Sequence, residues 1–471
     1  MLKFYNTPHR KIETFQPIDP QNVKIYTCGP TVYAEPHIGN WAAFIYWDIL
    51  VRVMHANGYY NVERTMNITD VGHLVSDEDS GEDKLEKGAR REGKTAWEVA
   101  NFYTEKFKQG MEDLNLITPD HLAKATDFIQ EQIEIIDNLT AKGYTYETSD
   151  GIYFDTAKFP RYADFAKLDL AGLKSGARIN FNPEKKNISD FALWKWSINE
   201  NGKKRDMEWE YRDRMGFPGW HLECSAIALN TLGDTIDIHT GGIDHIPVHH
   251  TDEIAQSESY TGKKFANYWL HANHIHSEGQ KISKSLGNGY TLWELENKGF
   301  TPLDFKMLVL QSNYQTESDF NFDSLQAAKN RLKNWKNVAA IRWQITKQNG
   351  QAPSLAAKNL ILETINQNLD TPQTLAKIDE IFTDVLKTSP EKLDYFNFID
   401  LLEFIDELLG LDLLNSTPDI SEDNKQKILA RNAARADKNW PESDKLRDEL
   451  IEDGIILRDT PKKTFWEHKT N

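Results

Sequence analysis

Val23–Asn40, VKIYTCGPTVYAEPHIGN, is the stretch that most limits how this chain can fold. Val23, Ile25 and Tyr26 form a short β-prone run that Gly29 and Pro30 stop. His37-Ile38-Gly39-Asn40 then opens a helix. Trp41, Phe44, Ile45, Ile49, Leu50 and Val53 continue it with apolar residues at helical spacing. A strand that feeds a helix through a tight loop leaves the helix N-terminus facing a place where a phosphate can sit. His37 and Asn40 flank that end as donors. Many α/β proteins have such a loop, and this one gains meaning from a second stretch, Lys281-Ile282-Ser283-Lys284-Ser285.

At 471 residues the chain is too long for one hydrophobic core, and two to four domains are expected. No apolar run approaches the ~20 residues that span a bilayer. The opening residues, MLKFYNTPHRKIETF, carry no apolar signal segment. The expectation is a cytoplasmic protein with no membrane association. Cys28 and Cys224 are the only cysteines, which excludes a disulfide scaffold. Two readings stay open for them: reduced core thiols, or thiolate metal ligands. The net charge of −17 is a poor global match for a nucleic-acid binder, so RNA contact would need local patches. Basic candidates are Lys329, Arg331, Lys333 and Lys336, then Arg431, Arg435 and Lys438, then Lys462 and Lys463. Each cluster is equally well read as a solvated helix face or tail.

Residues 1–20 read as a leading segment. Residues 21–117 read as β-α-β-α, with a strand over Tyr60–Ile68 and a helix over Ala96–Leu114, which argues for a parallel sheet with helices on its faces. Ligands bind such sheets outside the carboxyl ends of the strands, where Cys28 and Thr69 fall. Val71–Glu86 is acidic and reads as a loop. Residues 118–206 change pattern, with a helix, a hairpin over Tyr146–Tyr153 and the run FALWKW, and read as an insertion between the two halves of the sheet. The sheet resumes over 207–280, with a helix carrying Cys224 and strands at Thr235–His239 and Tyr268–His276. Beyond Phe322 the chain is overwhelmingly helical, and its last unit is a helix pair followed by GIILRDTPKKTFW.

HIGN and KISKS together resemble the HIGH and KMSKS signatures of class I aminoacyl-tRNA synthetases. CGPTVY, from Cys28 to Tyr33, resembles the cysteinyl-tRNA synthetase family in particular. So do Gly219–Ser225 (GWHLECS), Asp237-Ile238-His239 with Gly241-Gly242, and His249–Glu253 (HHTDE). Later similarities are Asp437–Trp440 and Lys445–Asp448, so the resemblance spans nearly the whole chain. It implies a Rossmann-like class I catalytic domain over 1–322. Its halves lie at 21–117 and 207–290, a connective insertion at 118–206 and a stem-contact region at 290–322. A helical domain (323–415) and an anticodon-binding unit (416–471) follow. The family usually has a shorter connection than the acidic 71–86 stretch, Ile282 stands where Met is usual, and Asn40 replaces the second His of the generic signature, as is common in the cysteine family. Thr240 and Ile243 stand where the family commonly has Gly and Ser.

The implied chemistry is ATP-dependent activation of L-cysteine, followed by transfer to the 3′ end of tRNA(Cys) by a monomeric enzyme. Cys28, Cys224, His249 and Glu253 match the family's zinc ligands one by one, and such a Cys₂-His-Glu set suits tetrahedral zinc, one ion per chain. If HHTDE is helical, His249 and Glu253 share a face, and His250 points elsewhere, about 100° around. A soft metal prefers thiolate to hydroxyl and so separates cysteine from serine. Carboxylate attack on the α-phosphate of ATP, which enters with Mg2+ as substrate, needs donors and cations rather than a covalent nucleophile. His37, Asn40, Lys281 and Lys284 are the catalytic candidates. His37, Gly39, Asn40, Gly241, Gly242, Asp244 and Lys284 are the ATP candidates, with Asp244 on the ribose. Gly29, Thr31, Thr69 and Trp220 are candidates for the amino-acid pocket, although Trp220 also reads as core. Arg435, Lys438, Trp440 and Arg447 are plausible at the RNA end, since aromatic and arginine side chains suit unstacked loop bases. Two other readings are an ATP-dependent cysteine ligase acting on an amino sugar and a noncatalytic zinc- or tRNA-binding paralogue. The first lacks a C-terminal anticodon-like unit, and the second is expected to have lost HIGN or KISKS.

Overall fold

A computed structural model describes residues 1–74, 83–168, 182–197, 205–282, 287–345, 354–388, 392–459 and 464–469. Ser283, Lys284 and Ser285 of the second signature, residues 75–82 of the acidic stretch, and Lys462 and Lys463 lie outside them. The chain divides into two compact units: residues 1–295 with 314–319, and residues 296–313 with 320–471. Most of the expected stem-contact region therefore belongs with the helical unit rather than with the sheet.

The first unit is built on five parallel strands: β1 (Val23–Thr27), β2 (Val62–Ile68), β3 (His121–Lys124), β4 (Ile236–Gly242) and β5 (Ala266–Ala272). They lie side by side in the order β5-β4-β1-β2-β3. β1 pairs on one side with β2, Ile25 opposite Arg64, and on the other with β4, Ile25 opposite Ile238. Buried on both faces, β1 has Val23, Ile25 and Tyr26 almost wholly covered. Helix α1 (Ile38–Ala56) follows it and is buried around nearly its whole circumference, from Trp41 to Met54. A buried ion pair on it, Arg52 Nε to Asp48 Oδ2 at 2.7 Å, is satisfied by further partners. Arg52 Nη2 donates to Asn115 O and Asp48 Oδ1 accepts from Ile117 N, both at 2.7 Å, so the pair tethers the segment leading into β3.

Several boundaries differ from the sequence reading. The first residues are a hairpin, Lys3–Asn6 with Lys11–Thr14. Its Asn6 side chain donates to Asn267 O and accepts from Trp269 N, both at 3.0 Å, and so satisfies backbone groups of edge strand β5. His121–Lys124, read as insertion, pairs with β2. Four residues, half of them polar, carry no readable period. The insertion is a five-stranded antiparallel sheet in the order Thr145–Glu147, Gly151–Phe154, Phe191–Trp196, Arg214–Pro218, Trp209–Tyr211. It therefore claims residues 209–218, and the parallel sheet resumes later, through α2 (Trp220–Thr231) into β4. The strand read over Tyr268–His276 is broken after Ala272. There Asn273 turns its N–H to Tyr314 O (2.7 Å) and its amide to Gln315 O (3.0 Å), and a separate strand, Ile275–Ser277, begins. The end of the acidic stretch, read as loop, is the start of a helix over Lys84–Glu92, which Asp83 caps by accepting from Leu85 N.

The second unit holds helices at Pro302–Leu310, Phe322–Ala340, Ser354–Ile365, Thr371–Lys387, Tyr395–Leu409, Glu422–Ala436 and Trp440–Glu452. It ends in a hairpin, Ile455–Asp459 with Thr464–His468. Arg431, one of the basic candidates, is buried and forms a two-pronged pair with Asp459, both contacts at 2.6 Å. Arg435 joins the same carboxylate. Trp440 is exposed.

Asp70, just beyond β2, is buried and accepts from Thr126 N at 3.0 Å and Thr126 Oγ1 at 2.6 Å. Burial pushes its carboxyl up to about 6, against those two bonds. A raised pKa gives stability that is present below the unfolded value near 4 and lost as pH rises through 6. Asp70→Asn, which mimics the protonated form, should match the parent protein near pH 4. It should exceed it by roughly 2–3 kcal/mol at pH 7, measured by urea unfolding across that range.

Candidate active site and metal centre

β1 lies between β2 and β4 where the strand order reverses, so a crevice opens outside their carboxyl ends. Cys28 follows β1 directly, and its N–H donates to Thr240 O at 3.0 Å, adding one rung to the β1–β4 ladder. Gly29 donates its N–H to Asn67 Oδ1 at 2.7 Å. A Cβ on Gly29 would stand 1.7 Å from Asn67 O, so only glycine fits there. The crevice is a cleft of about 530 Å³. Gly29, Thr31, Thr69 and Trp220, the expected amino-acid residues, line it. His37, Gly39, Asn40, Gly241, Gly242, Asp244 and Lys281 line it as well. Lys284 lies outside the described residues.

The two signatures meet at this cleft. Ile38 N–H donates to Tyr290 O at 2.8 Å, and His37 forms a bridge with Thr291. Ile282 Cδ1 lies 3.2 Å from where a Cβ on Gly39 would stand. His37 and Asn40 cap α1: Asn40 Oδ1 accepts from His37 N at 3.2 Å, and His37 Nδ1 accepts from Gly39 N at 3.1 Å. This fixes their polarity. A neutral His37 whose Nδ1 accepts carries its proton on Nε2, and an Asn40 whose oxygen accepts keeps its amide hydrogens as donors. Both are donors at a helix N-terminus, as an anion requires.

Beneath the cleft the donor atoms of Cys28, Cys224, His249 and Glu253 all lie within 4.8 Å of one another, and all four residues are buried. Cys224 comes from α2, while His249 and Glu253 sit one turn apart on α3 (His249–Thr261). His249 Nε2 is 2.9 Å from Glu253 Oε1. Burial pushes the Cys224 thiol well up, with Cys28 and Glu253 adding to it. Burial also opposes ionisation of Cys28, but its contact with Cys224 and the nearby His250 bring it well down. Glu253 is likewise opposed by burial, yet the His239 and His249 rings draw it down to about 2. A buried thiolate and carboxylate this close repel each other, and a divalent cation among them removes that repulsion. The donor set, two sulfurs with one imidazole and one carboxylate, fits zinc.

His250 points elsewhere, as expected, but not out of the site. The 100° step carries it off the His249–Glu253 row and toward the sheet, where its Nε2 lies 3.2 Å from Cys28 Sγ. Cys28, His239, His250 and Glu253 form a second, overlapping group of donors within 4.8 Å. In it His239 Nε2 is already 2.8 Å from Glu253 Oε2, and His250 Nδ1 is 2.8 Å from His271 Nε2.

Residues 14–330 match the family model of the class I tRNA synthetase (C) catalytic domain. Residues 417–466 match that of the cysteinyl-tRNA ligase anticodon binding domain. The chain belongs to the cysteine branch of the class I tRNA synthetases. It is 39% identical to the cysteine–tRNA ligase of Treponema denticola, covering 99% of both chains. It is 40% identical to cysteine–tRNA ligase 1 of Burkholderia lata, covering 98% of this chain and 96% of that one. Among solved structures it resembles the Mycobacterium tuberculosis methionyl-tRNA synthetase in complex with methionyl-adenylate, with a TM-score of 0.57 at 16% identity. That match covers 84% of this chain and 91% of that one, and it shows the shared fold.

The synthetase surrounds its donor set with imidazoles that sequence reasoning did not single out. His221 Nδ1 is 3.0 Å from His249 Nδ1, and His221 Nε2 is 3.4 Å from Asp252. His239 stacks on Trp269 at 4.3 Å. A Cβ on Gly241 would stand 2.6 Å from the His250 ring and 2.8 Å from that of His245, so imidazoles occupy the space its missing side chain leaves. A signal was present, since eight of the synthetase's 14 histidines fall between His221 and His276. Glu223 was also missed. Burial pushes its carboxyl up to about 8, and it accepts from Thr69 Oγ1 and, at 3.2 Å, from Asn67 Nδ2.

Gly29→Ala should destabilise the synthetase by ~3 kcal/mol or more, the upper end for overpacking, because its Cβ meets backbone rather than a movable side chain. Thermal unfolding of the variant beside the parent protein checks this.

Proposed function

We propose that this chain activates L-cysteine with ATP to cysteinyl-adenylate and transfers the cysteinyl group to the 3′ end of tRNA(Cys). We propose too that Cys28, Cys224, His249 and Glu253 hold one zinc ion that selects the substrate. The family match over both the catalytic and the anticodon-binding regions supports the activity. The single observation behind the metal reading is the convergence of four buried donor atoms under the cleft. Bound there, zinc would supply a soft Lewis acid that takes the substrate sulfur as thiolate and passes over the hydroxyl of serine. Cys₂-His-Glu is preferred to the overlapping set because it brings two thiolates, the softer ligands, where the other brings one.

The rest of the reaction falls to residues along the cleft. Thr69 and Trp220 wall the amino-acid end. Asp244, beyond the two glycines that end β4, stands where a ribose hydroxyl needs an acceptor. His37 and Asn40 direct donors at the phosphates from the start of α1, and Lys281 with Lys284 supplies positive charge for the departing pyrophosphate of ATP, which arrives with Mg2+. In the C-terminal unit Trp440, exposed and with basic neighbours Lys438 and Arg447, is proposed to meet unpaired tRNA bases. The anticodon-domain match speaks against an amino-sugar acceptor.

Labelled cysteine, incubated with total tRNA, ATP and Mg2+, should be transferred to tRNA while labelled serine is not. Absence of charging in zinc-replete protein would sink the proposal. Cys224→Ser should lower zinc content, read by mass spectrometry, and weaken cysteine binding at least tenfold. Full zinc in that variant would remove Cys224 from the ligand set.

A further inference from the structure

The acidic stretch that interrupts the first half of the sheet has its two described ends joined at the cleft, Leu74 bridging to Asp83. His73 is buried against the cleft wall, and contacts at both ring nitrogens and on one face hold its ring. Its Nδ1 is 2.6 Å from Thr31 Oγ1, its Nε2 is 2.6 Å from Lys84 Nζ, and its face stacks on Trp220 at 4.0 Å and 9°. Backbone groups fix the Lys84 side. Lys84 N–H donates to His73 O at 2.9 Å, and Asp83, paired with Arg205 at 2.7 Å, accepts from Gly72 N at 3.2 Å.

These contacts determine where the protons sit. A lysine ammonium only donates, so His73 Nε2 accepts and the ring proton is on Nδ1. Nδ1–H then donates to Thr31 Oγ1, which leaves the threonine hydroxyl to act as a donor in the cleft it lines. Of the polar groups on free cysteine, the ammonium only donates and the sulfur is taken by the metal centre. The carboxylate is the acceptor. Trp220 carries the same arrangement to the metal end, since its indole also stacks on His249 at 4.5 Å.

We propose that His73 is a positioning residue that, held by Lys84, orients the Thr31 hydroxyl as a donor to the substrate carboxylate and fixes the Trp220 wall beside it. This rests on the reading of the cleft as a cysteine site. Calorimetry on zinc-replete protein tests it with two probes: cysteine, and cysteamine, which keeps thiol and amine but lacks the carboxylate. His73→Leu should raise the Kd of cysteine about tenfold, the loss of one hydrogen bond to a charged group, and leave that of cysteamine within about twofold. His73→Asn, which retains an N–H donor, should recover most of the loss. Thr31→Val should match His73→Leu, and the double variant should be no worse than either. An unchanged cysteine Kd in His73→Leu, equal losses for both probes, or additive effects would overturn the role of His73. Failure of the parent protein to bind cysteine would instead overturn the reading of the cleft, and the inference with it.

Discussion

The pairing of Val23–Thr27 with both Val62–Ile68 and Ile236–Gly242 is the constraint on which the site depends. A strand flanked on both sides by parallel neighbours has its end point fixed by two hydrogen-bonded ladders at once. Cys28, one residue past that end, continues the ladder to Thr240 and has little freedom left. Its sulfur is therefore delivered to the place where α2 brings Cys224 and α3 brings His249 and Glu253. A slip of one residue in the β1–β4 register would turn the neighbouring side chains to the opposite face and scatter the four donors.

Crowding so many ionisable groups in an interior is costly, because burial favours the neutral form of each. The fold answers with partners at short range. Glu253 lies between His239 and His249, and Asp252 meets His221 and, at 2.5 Å, the Tyr162 hydroxyl. Such a set is rigid because each group's protonation depends on its neighbour's. The cation proposed for this set would give the buried negative charges a shared counterion. In the cleft above, the capping bonds that start α1 also orient His37 and Asn40 as donors.

Much of this was legible in the sequence, and what was legible shares a cause. The β1–loop–α1 unit, the helix over Ala96–Asp113 and the helical character of the second unit were readable because their signals are local: apolar period, glycine and proline stops, and caps. What was missed lacks local signal. His121–Lys124 is four residues at a sheet edge, and it becomes a strand only because Met66 and Asn67 lie beside it. Residues 209–218 joined the insertion because Gly216–Pro218 pair with Trp194–Trp196, a partnership that no window along the chain reveals. Arg431 read as an exposed basic residue, and its burial depends on Asp459, 28 positions away.

By itself the sequence determined the chemistry available: two cysteines, HHTDE at helical spacing, a phosphate-ready helix start and a lysine loop, together with the family to which these belong. Only the tertiary structure decided which of these groups act together. It brought His250, off the His249–Glu253 row, to Cys28, packed imidazoles against Gly241, and set His73 between Thr31, Lys84 and Trp220. The physical reason is range. Propensity, capping and amphipathic period act over a few residues, and the sequence records them directly. The position of a proton on a buried imidazole depends on donors and acceptors that arrive from other elements, and these are neighbours only after the sheet has closed.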